Sequence, residues 1–281
     1  MKKEKHRVDN IYNSITKMPG IIAFWDFSES RGQERVSSAG NKIYRLYEAV
    51  KAIERIDEGP ISGYSAELTK DHYFKIPRQD LNRLDIHGHD SQVSIIAWIK
   101  RGKKPDGRPS EFIAGIWYEA GGGYDLKGKR QYALFLNMGW QHEPGPDRVT
   151  PHISAEGGPS PGLKWCYDYA ISKSAVPLDE WSTVGFTYDS RNIRAYFNGL
   201  FSQLPNNDFR EGIEYLKGNS LNPYHHDRGI FNAGKDGVGF TIGARTHDPN
   251  QTPAYFHGLI GGLVVFNRAL SAEEMRLLGE K

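Results

Sequence analysis

The sequence has almost no cysteine and no long apolar run. Cys166 is the single cysteine among 281 residues, so an internal disulfide and a thiolate metal cluster are excluded. No apolar stretch approaches the roughly 20 residues that span a bilayer. Residues 1–10 include Lys2, Lys3, Lys5 and Arg7, but the apolar segment of a signal peptide does not follow them. We therefore expect a soluble protein with no membrane partner.

The chain also has no excess of charge of one sign. Lysine and arginine total 36, aspartate and glutamate total 34, and the formal net charge is +2. A nearly neutral chain has no strong field with which to attract a polyanion. Nucleic acid is therefore not an expected partner.

Short apolar and aromatic segments separated by turns dominate the sequence. The 31 glycines and 15 prolines are spread between these segments, which is typical of an all-β protein. Residues 181–188 and 193–197 are predicted to form a hairpin around residues 189–192, and Asn198-Gly199 supplies the positive φ angle of the turn that follows. Further strands are predicted at residues 21–27, 92–101, 112–119, 131–137, 239–244 and 258–266. The strand at 92–101 is apolar on both faces and is expected to be central.

Other segments are less regular. Residues 64–68 and 72–77 are predicted to form a hairpin with Lys70-Asp71 at its tip. Ser271 and Glu274 have the spacing of a capping box and predict a short C-terminal helix. In residues 42–55 the apolar spacing narrowly favours a helix over strands. Residues 1–19 lack a clear period and are expected to be a loosely ordered lead-in.

Five segments together resemble the laminin-G-like branch of the concanavalin A-like lectin/glucanase superfamily. They are Ala23–Phe27, Val93–Lys100, Trp181–Asp189, Ile193–Gly199 and Gly258–Ser271. The resemblance implies a two-sheet antiparallel jelly-roll sandwich with a short C-terminal helix, built as one domain from residues 20–281. It also implies strands rather than a helix within residues 42–55. Many relatives carry an acidic residue where this chain has Gly261-Gly262, so no calcium role is carried over from that position.

The middle third of the chain is the predicted ligand-binding region. Proteins bind sugars through aromatic faces that stack on C–H surfaces and planar polar groups that pair with hydroxyls. We expect a groove formed by the central strands and the loops of residues 138–176, with a carbohydrate chain as partner. Its candidate residues are Arg101, Trp117, Glu119, Arg130, Gln131, Asn137, His152, Trp165 and Tyr167. The alternative is a solvated sheet face with ion pairs such as Arg130 with Glu119, while Trp25, Trp98 and Trp181 are assigned to the core.

Two other functions remain open. A polysaccharide lyase needs a base and a group that neutralises a uronate carboxylate, and His152, Tyr167, Arg101 and Gln131 are the candidates. A glycoside hydrolase needs two opposed carboxylates, which no strand here supplies by closely alternating acids. A protein adhesion module is the third hypothesis, because the fold by itself does not decide the activity. The sequence does not determine the oligomeric state.

No cofactor is expected, and calcium is considered only as a structural ion. Asp248, Asn250, Gln251 and Thr252 offer the oxygen ligands that calcium prefers. His87 and His89, and the run His225-His226-Asp227, do not complete a ligand set. These histidines are therefore expected in surface loops.

Overall fold

The computed structural model describes residues 11–40, 42–104, 110–119, 128–138, 147–162, 166–204, 222–246 and 254–279. Its strands are short, and most are bounded by glycines and polar turns. They are β1 (Ile21–Trp25), β2 (Arg35–Val36), β3 (Arg45–Glu48), β4 (Arg55–Ile56), β5 (Ser65–Leu68), β6 (Phe74–Ile76), β7 (Val93–Arg101), β8 (Ser110–Ile116), β9 (Tyr132–Met138), β10 (Asp147–Ile153), β11 (Trp181–Tyr188), β12 (Asn192–Phe197), β13 (Leu200–Phe201), β14 (Tyr224–His225), β15 (Phe240–Ile242) and β16 (Gly258–Phe266).

The strands form two antiparallel sheets. The first sheet has the order β13-β12-β11-β7-β16-β5-β4, with β1 paired to β16 and β14 paired to β12. The second sheet has the order β10-β9-β8-β15-β6-β3-β2. This arrangement confirms the predicted all-β sandwich and is consistent with a jelly roll.

The main core lies between the two sheets and follows the alternation of each strand. On β7, Ile95, Ala97 and Ile99 point into this core, where they meet Leu134 and Leu136 of the second sheet. The intervening Ile96 and Trp98 are buried on the opposite face of the first sheet. The predicted central strand, covered on both sides, is therefore confirmed.

Helices cover that opposite face. The C-terminal helix (Ala272–Gly279) buries Met275 and Leu278, and the Trp98 indole Nε1 donates to the Leu278 carbonyl oxygen at 3.2 Å. Residues 11–17 are also helical, and Ile15 of this segment is fully buried in the cluster on this face. Part of the expected lead-in is thus packed structure, which its polar sequence did not indicate. Within the described chain, no helix is both long and apolar enough to cross a membrane.

The predicted hairpin at Lys70-Asp71 is wrong in one respect. Thr69 and His72 bridge the turn, each amide donating to the other's carbonyl oxygen at 3.2 Å. Beyond this bridge β5 joins the first sheet and β6 joins the second. The two strands diverge because each buries its apolar face in a different layer of the sandwich.

Residues 42–55 contain the strand β3 and the first residue of β4, and no helix. The helical spacing was misleading because Ile43 and Val50 are exposed, so these two residues form no buried stripe. The resemblance, which implied strands, gave the correct structure here.

Two local predictions are confirmed in detail. Asn198 and Gly199 have φ angles of 50° and 72° and connect β12 to β13. At the C-terminal helix, the Glu274 amide donates to Ser271 Oγ at 3.1 Å, and the Ser271 amide donates to Glu274 Oε2 at 2.8 Å. This reciprocal pair is the predicted capping box.

Candidate functional site

The candidate site lies on the outer face of the second sheet, which points away from the main core. Because side chains alternate along a strand, Leu134 and Leu136 of β9 enter the main core, while Ala133 and Phe135 form a separate outer cluster. His152 of β10 is the Cα partner of Ala133. The register of β9 and β10 therefore places His152 beside Phe135.

Four rings meet at this position, and we call them the ring cluster: Trp117, Phe135, His152 and Tyr169. The His152 ring centroid lies 4.8 Å from Tyr169, 5.2 Å from Phe135 and 5.4 Å from Trp117. Trp117 and Phe135 meet edge to face at 5.9 Å. Such contacts stabilise the arrangement of the rings beyond the area that they bury. His152 and Phe135, at 9% and 6% exposure, are the ring-cluster members nearest the surface.

Charged side chains border the ring cluster on its Trp117 side. The Trp117 indole Nε1 donates to Glu119 Oε1 at 3.2 Å, and Arg245 Nη1 donates to Glu119 Oε2. The Arg130 guanidinium lies 6.0 Å from the Trp117 ring centroid and is almost fully buried. Burial acts to raise the pKa of Glu119, but the charges of Arg245 and Arg130 outweigh it, and the pKa is lowered.

Asp168 is a second buried carboxylate next to the ring cluster. It precedes Tyr169, and its carbonyl oxygen accepts the Ile153 amide at 3.1 Å. Arg228 Nη2 donates to Asp168 Oδ2 at 2.6 Å, and the Tyr224 hydroxyl donates to Oδ1 at 3.1 Å. Although burial acts to raise the pKa of Asp168, hydrogen bonding and charge from His226 and Arg228 lower it to about 2. Asp168 is therefore ionised at neutral pH.

The Cys166 side chain packs against the apolar cluster that contains Trp117 and Phe135, and its thiol is unreactive. Burial, together with the charge of Asp168, raises the pKa of this thiol to about 12. A thiol of that pKa is protonated at neutral pH and is a poor nucleophile. Cys166 therefore contributes apolar contact rather than chemistry.

The structure brings together four of the predicted site residues: Trp117, Glu119, Arg130 and His152. Asn137 lies on the same strand as Phe135, two residues further along, and is half-buried. Tyr167 is buried at 1% exposure, and its amide donates to Ser160 Oγ at 2.9 Å. Trp165 lies outside the described residues.

Arg101 lies elsewhere, in a buried ionic network that joins the two sheets. Its Nε donates to Glu111 Oε2 at 2.6 Å, its Nη1 donates to the Val176 carbonyl oxygen at 3.2 Å, and its Nη2 donates to Asp147. Lys104 Nζ donates to Asp147 at 3.0 Å. Burial raises the pKa of Glu111 despite its bond with Arg101. With its donors committed to these groups, Arg101 does not contribute to the ring cluster.

Gln131 is likewise committed to internal hydrogen bonds. Its Nε2 donates to Asp85 Oδ1 at 3.0 Å, and its Oε1 accepts from Arg78 Nη1 at 3.2 Å. Arg78 and Asp85 form a two-point ion pair, both contacts measuring 2.7 Å. The Gln131 side chain therefore helps to anchor the segment around Asp85. Its side-chain hydrogen bonds are made to Asp85 and Arg78 and not to the ring cluster.

Sequence reasoning missed three members of the site: Phe135, Tyr169 and Arg245. Phe135 was detectable, because Asn137 was selected and strand alternation places Phe135 on the same face. Tyr169 was not among the candidate residues, although it lies in the middle third of the chain from which they were taken. Arg245 is 126 residues from Glu119 in sequence, and no local pattern connects the two.

The metal hypotheses have different outcomes. His87, His89 and His225 are exposed, as expected, but His226 is fully buried, with its Nε2 2.9 Å from the Gly229 carbonyl oxygen. In the part of the chain that the structure describes, no three side chains of His, Cys, Asp or Glu are grouped to hold a metal. The calcium candidate at residues 248–252 lies outside that part.

Comparisons with known proteins reveal similar folds but no family. No family model and no curated protein matches the chain. One similar structure is Domain 4 of AbnA, a GH43 extracellular arabinanase from Geobacillus stearothermophilus, in complex with arabinotriose. The TM-score is 0.54 and the sequence identity is 15%, and the match covers 92% of this chain and 98% of the arabinanase domain.

Two larger proteins contain a similar fold. Trypanosoma rangeli sialidase, in complex with 2,3-difluorosialic acid, has a TM-score of 0.53 and 16% identity over 99% of this chain, which spans 38% of the sialidase. The second is botulinum neurotoxin type C, whose cell entry is dependent upon interaction with two ganglioside molecules. The TM-score is 0.53 and the sequence identity is 11%, and the match covers 92% of this chain and 50% of the neurotoxin chain. At these identities the similarity shows the fold alone, an all-β sandwich of two antiparallel sheets.

Proposed function

We propose that this protein is a carbohydrate-binding sandwich of the laminin-G-like, concanavalin A-like kind, and that it holds a glycan chain at the ring cluster. The observation that carries the proposal is the position of this cluster. Trp117, Phe135, His152 and Tyr169 gather on the outer face of a sheet whose other face already supplies the main core. Aromatic rings beside fixed polar groups are the usual composition of a sugar site.

The ionic groups beside the rings support the same proposal. Glu119 is held by Arg245 and Trp117, and Asp168 is held by Arg228 and Tyr224. Charged groups next to buried rings are costly unless they are paired. Their pairing fixes donors and acceptors in place before a ligand arrives, which reduces the entropy lost on binding.

The similar structures agree with a carbohydrate ligand. The arabinanase domain is in complex with arabinotriose, the sialidase with a difluorinated sialic acid, and the neurotoxin interacts with gangliosides. Fold similarity does not transfer an activity. It adds weight to a proposal that rests on the ring cluster.

Binding is favoured over hydrolysis because the nearby carboxylates are ionised rather than protonated. A general acid for glycoside cleavage needs a raised pKa, whereas the pKa values of Glu119 and Asp168 are both lowered. Glu111 has a raised pKa but is fully buried in the Arg101 network. The lyase hypothesis also loses support, because Arg101 and Gln131 are engaged away from His152.

The test is a glycan array followed by affinity measurements with neutral and uronate-containing polysaccharides. We expect the unaltered protein to retain a glycan and to release neither reducing ends nor an ultraviolet-absorbing unsaturated product. His152→Ala is expected to weaken binding by about fivefold, since one aromatic contact contributes about 1 kcal/mol. Asn137→Ala, on the same face, is expected to weaken binding by less.

Leu200→Ala is the matched control, because Leu200 is 58% exposed on a strand of the other sheet. It is expected to bind like the unaltered protein. Thermal unfolding of each variant separates lost affinity from lost folding. If the protein retains no glycan, the proposal is wrong and the adhesion-module hypothesis remains. If an unsaturated or hydrolysed product forms, the protein is an enzyme.

A further inference from the structure

A single cross-strand row connects the ring cluster to β3, the strand next to the opposite edge of the second sheet. The Cα register pairs each residue of the row with its neighbour on the next strand. From β10 to β3 the row consists of His152, Ala133, Gly115, Thr241, Lys75 and Tyr47. Because adjacent strands lie about 4.8 Å apart, five steps separate His152 from Tyr47 by about 24 Å.

The Tyr47 end of the row is open to solvent. Tyr47 is 41% exposed, and Ile43, four residues earlier, is 72% exposed. Leu46 between them is buried in the main core, so alternation places Tyr47 on the outer face. Lys75, its Cα partner on β6, is exposed as well. The Tyr47 ring and the Lys75 side chain therefore stand side by side on that face.

The Lys75 ammonium is not used by the fold. Within the described residues it has no hydrogen bond and no ion pair. The neighbouring exposed lysine on the preceding loop differs, since Lys51 Nζ donates to Asp71 Oδ2 at 2.9 Å. Lys75 thus offers a free positive charge directly beside an exposed aromatic ring.

The middle of the row is small and buried. Ala133 is fully buried, and Thr241 is 5% exposed. Gly115 has no side chain, and the low exposure of Ala133 and Thr241 shows that other parts of the protein cover the middle of the row. The Tyr47–Lys75 pair and the ring cluster are consequently two separate contact points on one face.

We propose that Tyr47 and Lys75 form a second sugar subsite that takes an acidic unit of the glycan chain whose other units the ring cluster binds. The inference rests on the proposed function. The Tyr47 ring stacks against the C–H face of the sugar, and the Lys75 ammonium pairs with its carboxylate or sulfate group. Only a chain long enough to cover about 24 Å engages both contact points.

The experiment compares short and long oligosaccharides by calorimetry. The probes are oligogalacturonates, sulfated galactan oligosaccharides and neutral galactan oligosaccharides, each as a short and a long set. Tyr47→Ala is expected to weaken binding of the long acidic chains by about three- to tenfold. Lys75→Gln is expected to weaken it by about two- to fivefold and to reduce its dependence on salt. Neither variant should change the affinity for short chains.

Conservative and distant variants keep the result interpretable. Tyr47→Phe keeps the ring and Lys75→Arg keeps the charge, so both should retain affinity for long acidic chains. Lys235→Gln removes an exposed lysine in the 3-10 helix Gly234–Asp236 and should have no effect. Carboxylate and sulfate chains are distinguished by which acidic set shows the length effect.

The outcomes separate this subsite from the proposed function. If long acidic chains bind but Tyr47→Ala and Lys75→Gln leave their affinity unchanged, the subsite is wrong and the ring cluster stands. Equal losses for short and long chains, or a length effect confined to neutral chains, also overturn it. If the unaltered protein binds no glycan at all, both proposals fail.

Discussion

Asp168 maintains a buried negative charge beside the ring cluster because Arg228, Tyr224 and His226 surround it. Arg228 Nη2 is 2.6 Å from Asp168 Oδ2, and His226 Nδ1 is 3.6 Å from Oδ1. A carboxylate in such surroundings loses more on protonation than one in water. The side chain also anchors the backbone next to Tyr169, so its charge affects the shape of the site.

The pKa of Asp168 predicts an acid-sensitive contribution to stability. The folded-state pKa of about 2 lies below the ordinary value of 3.8, so the contribution is present above about pH 4 and is lost as the pH falls through about 2. Asp168→Asn is expected to lower the free energy of unfolding at pH 7, with a smaller difference from the unaltered protein near pH 2. Urea denaturation at several pH values measures this.

The control for Asp168 is Asp90→Asn, because the Asp90 side chain is 94% exposed. It is expected to unfold like the unaltered protein at every pH. A constant difference between Asp168→Asn and the unaltered protein from pH 7 to pH 2 would contradict the assigned charge state.

The C-terminal helix is the element that covers the outer face of the first sheet. It is only eight residues long, and helices of that length are marginal without caps and tertiary contacts. Ser271 and Glu274 supply the cap, and the Arg268 guanidinium pairs with Glu274 at 2.5 Å and 2.8 Å. These contacts hold Met275 and Leu278 over Ile96 and Trp98.

Ser271→Ala is therefore predicted to reduce stability by about 1 kcal/mol, since an N-cap serine contributes roughly that amount. The free energy of unfolding from chemical denaturation measures the loss. Ser174→Ala serves as the control, because Ser174 is an exposed loop residue and its substitution should change little. Equal losses in the two variants would show that the cap does not stabilise the helix.

At the scale of the whole molecule, a buried ionic network joins the two sheets of the sandwich. Arg101 extends from β7 of the first sheet to Glu111 on β8 and Asp147 on β10 of the second. The three side chains are at most 8% exposed. Removing one member of such a buried network leaves the remaining charges without compensation.

Arg101→Met is predicted to cost about 3–5 kcal/mol, because it leaves Glu111 and Asp147 short of a buried partner. Lys51→Met breaks the exposed pair with Asp71 and should cost much less, because water screens the charges of an exposed pair. Comparing the two by thermal and urea unfolding tests the role of burial. Similar small losses would mean that water reaches the Arg101 network.

Much of the fold could be predicted because it depends on local patterns. Short apolar runs identified β7, β11 and β16, Asn198-Gly199 identified the turn after β12, and the spacing of Ser271 and Glu274 identified the terminal helix. Each of these signals involves residues a few positions apart. Local patterns gave the wrong structure where contacts between residues far apart in sequence determine it. The turn of residues 69–72 is an example, because the two strands that it connects enter different sheets.

The candidate site was predictable only in part, for the same reason. Residue types and strand alternation by themselves selected Trp117, Glu119, Arg130 and His152. They also selected Arg101 and Gln131, which have suitable chemistry but are committed to other partners. Which side chains meet was decided by the stacking of the sheets and the register of β8, β9 and β10. Tertiary structure alone brought Tyr169 to His152 and Arg245 to Glu119, because contacts between residues far apart in sequence follow from packing and leave no local pattern.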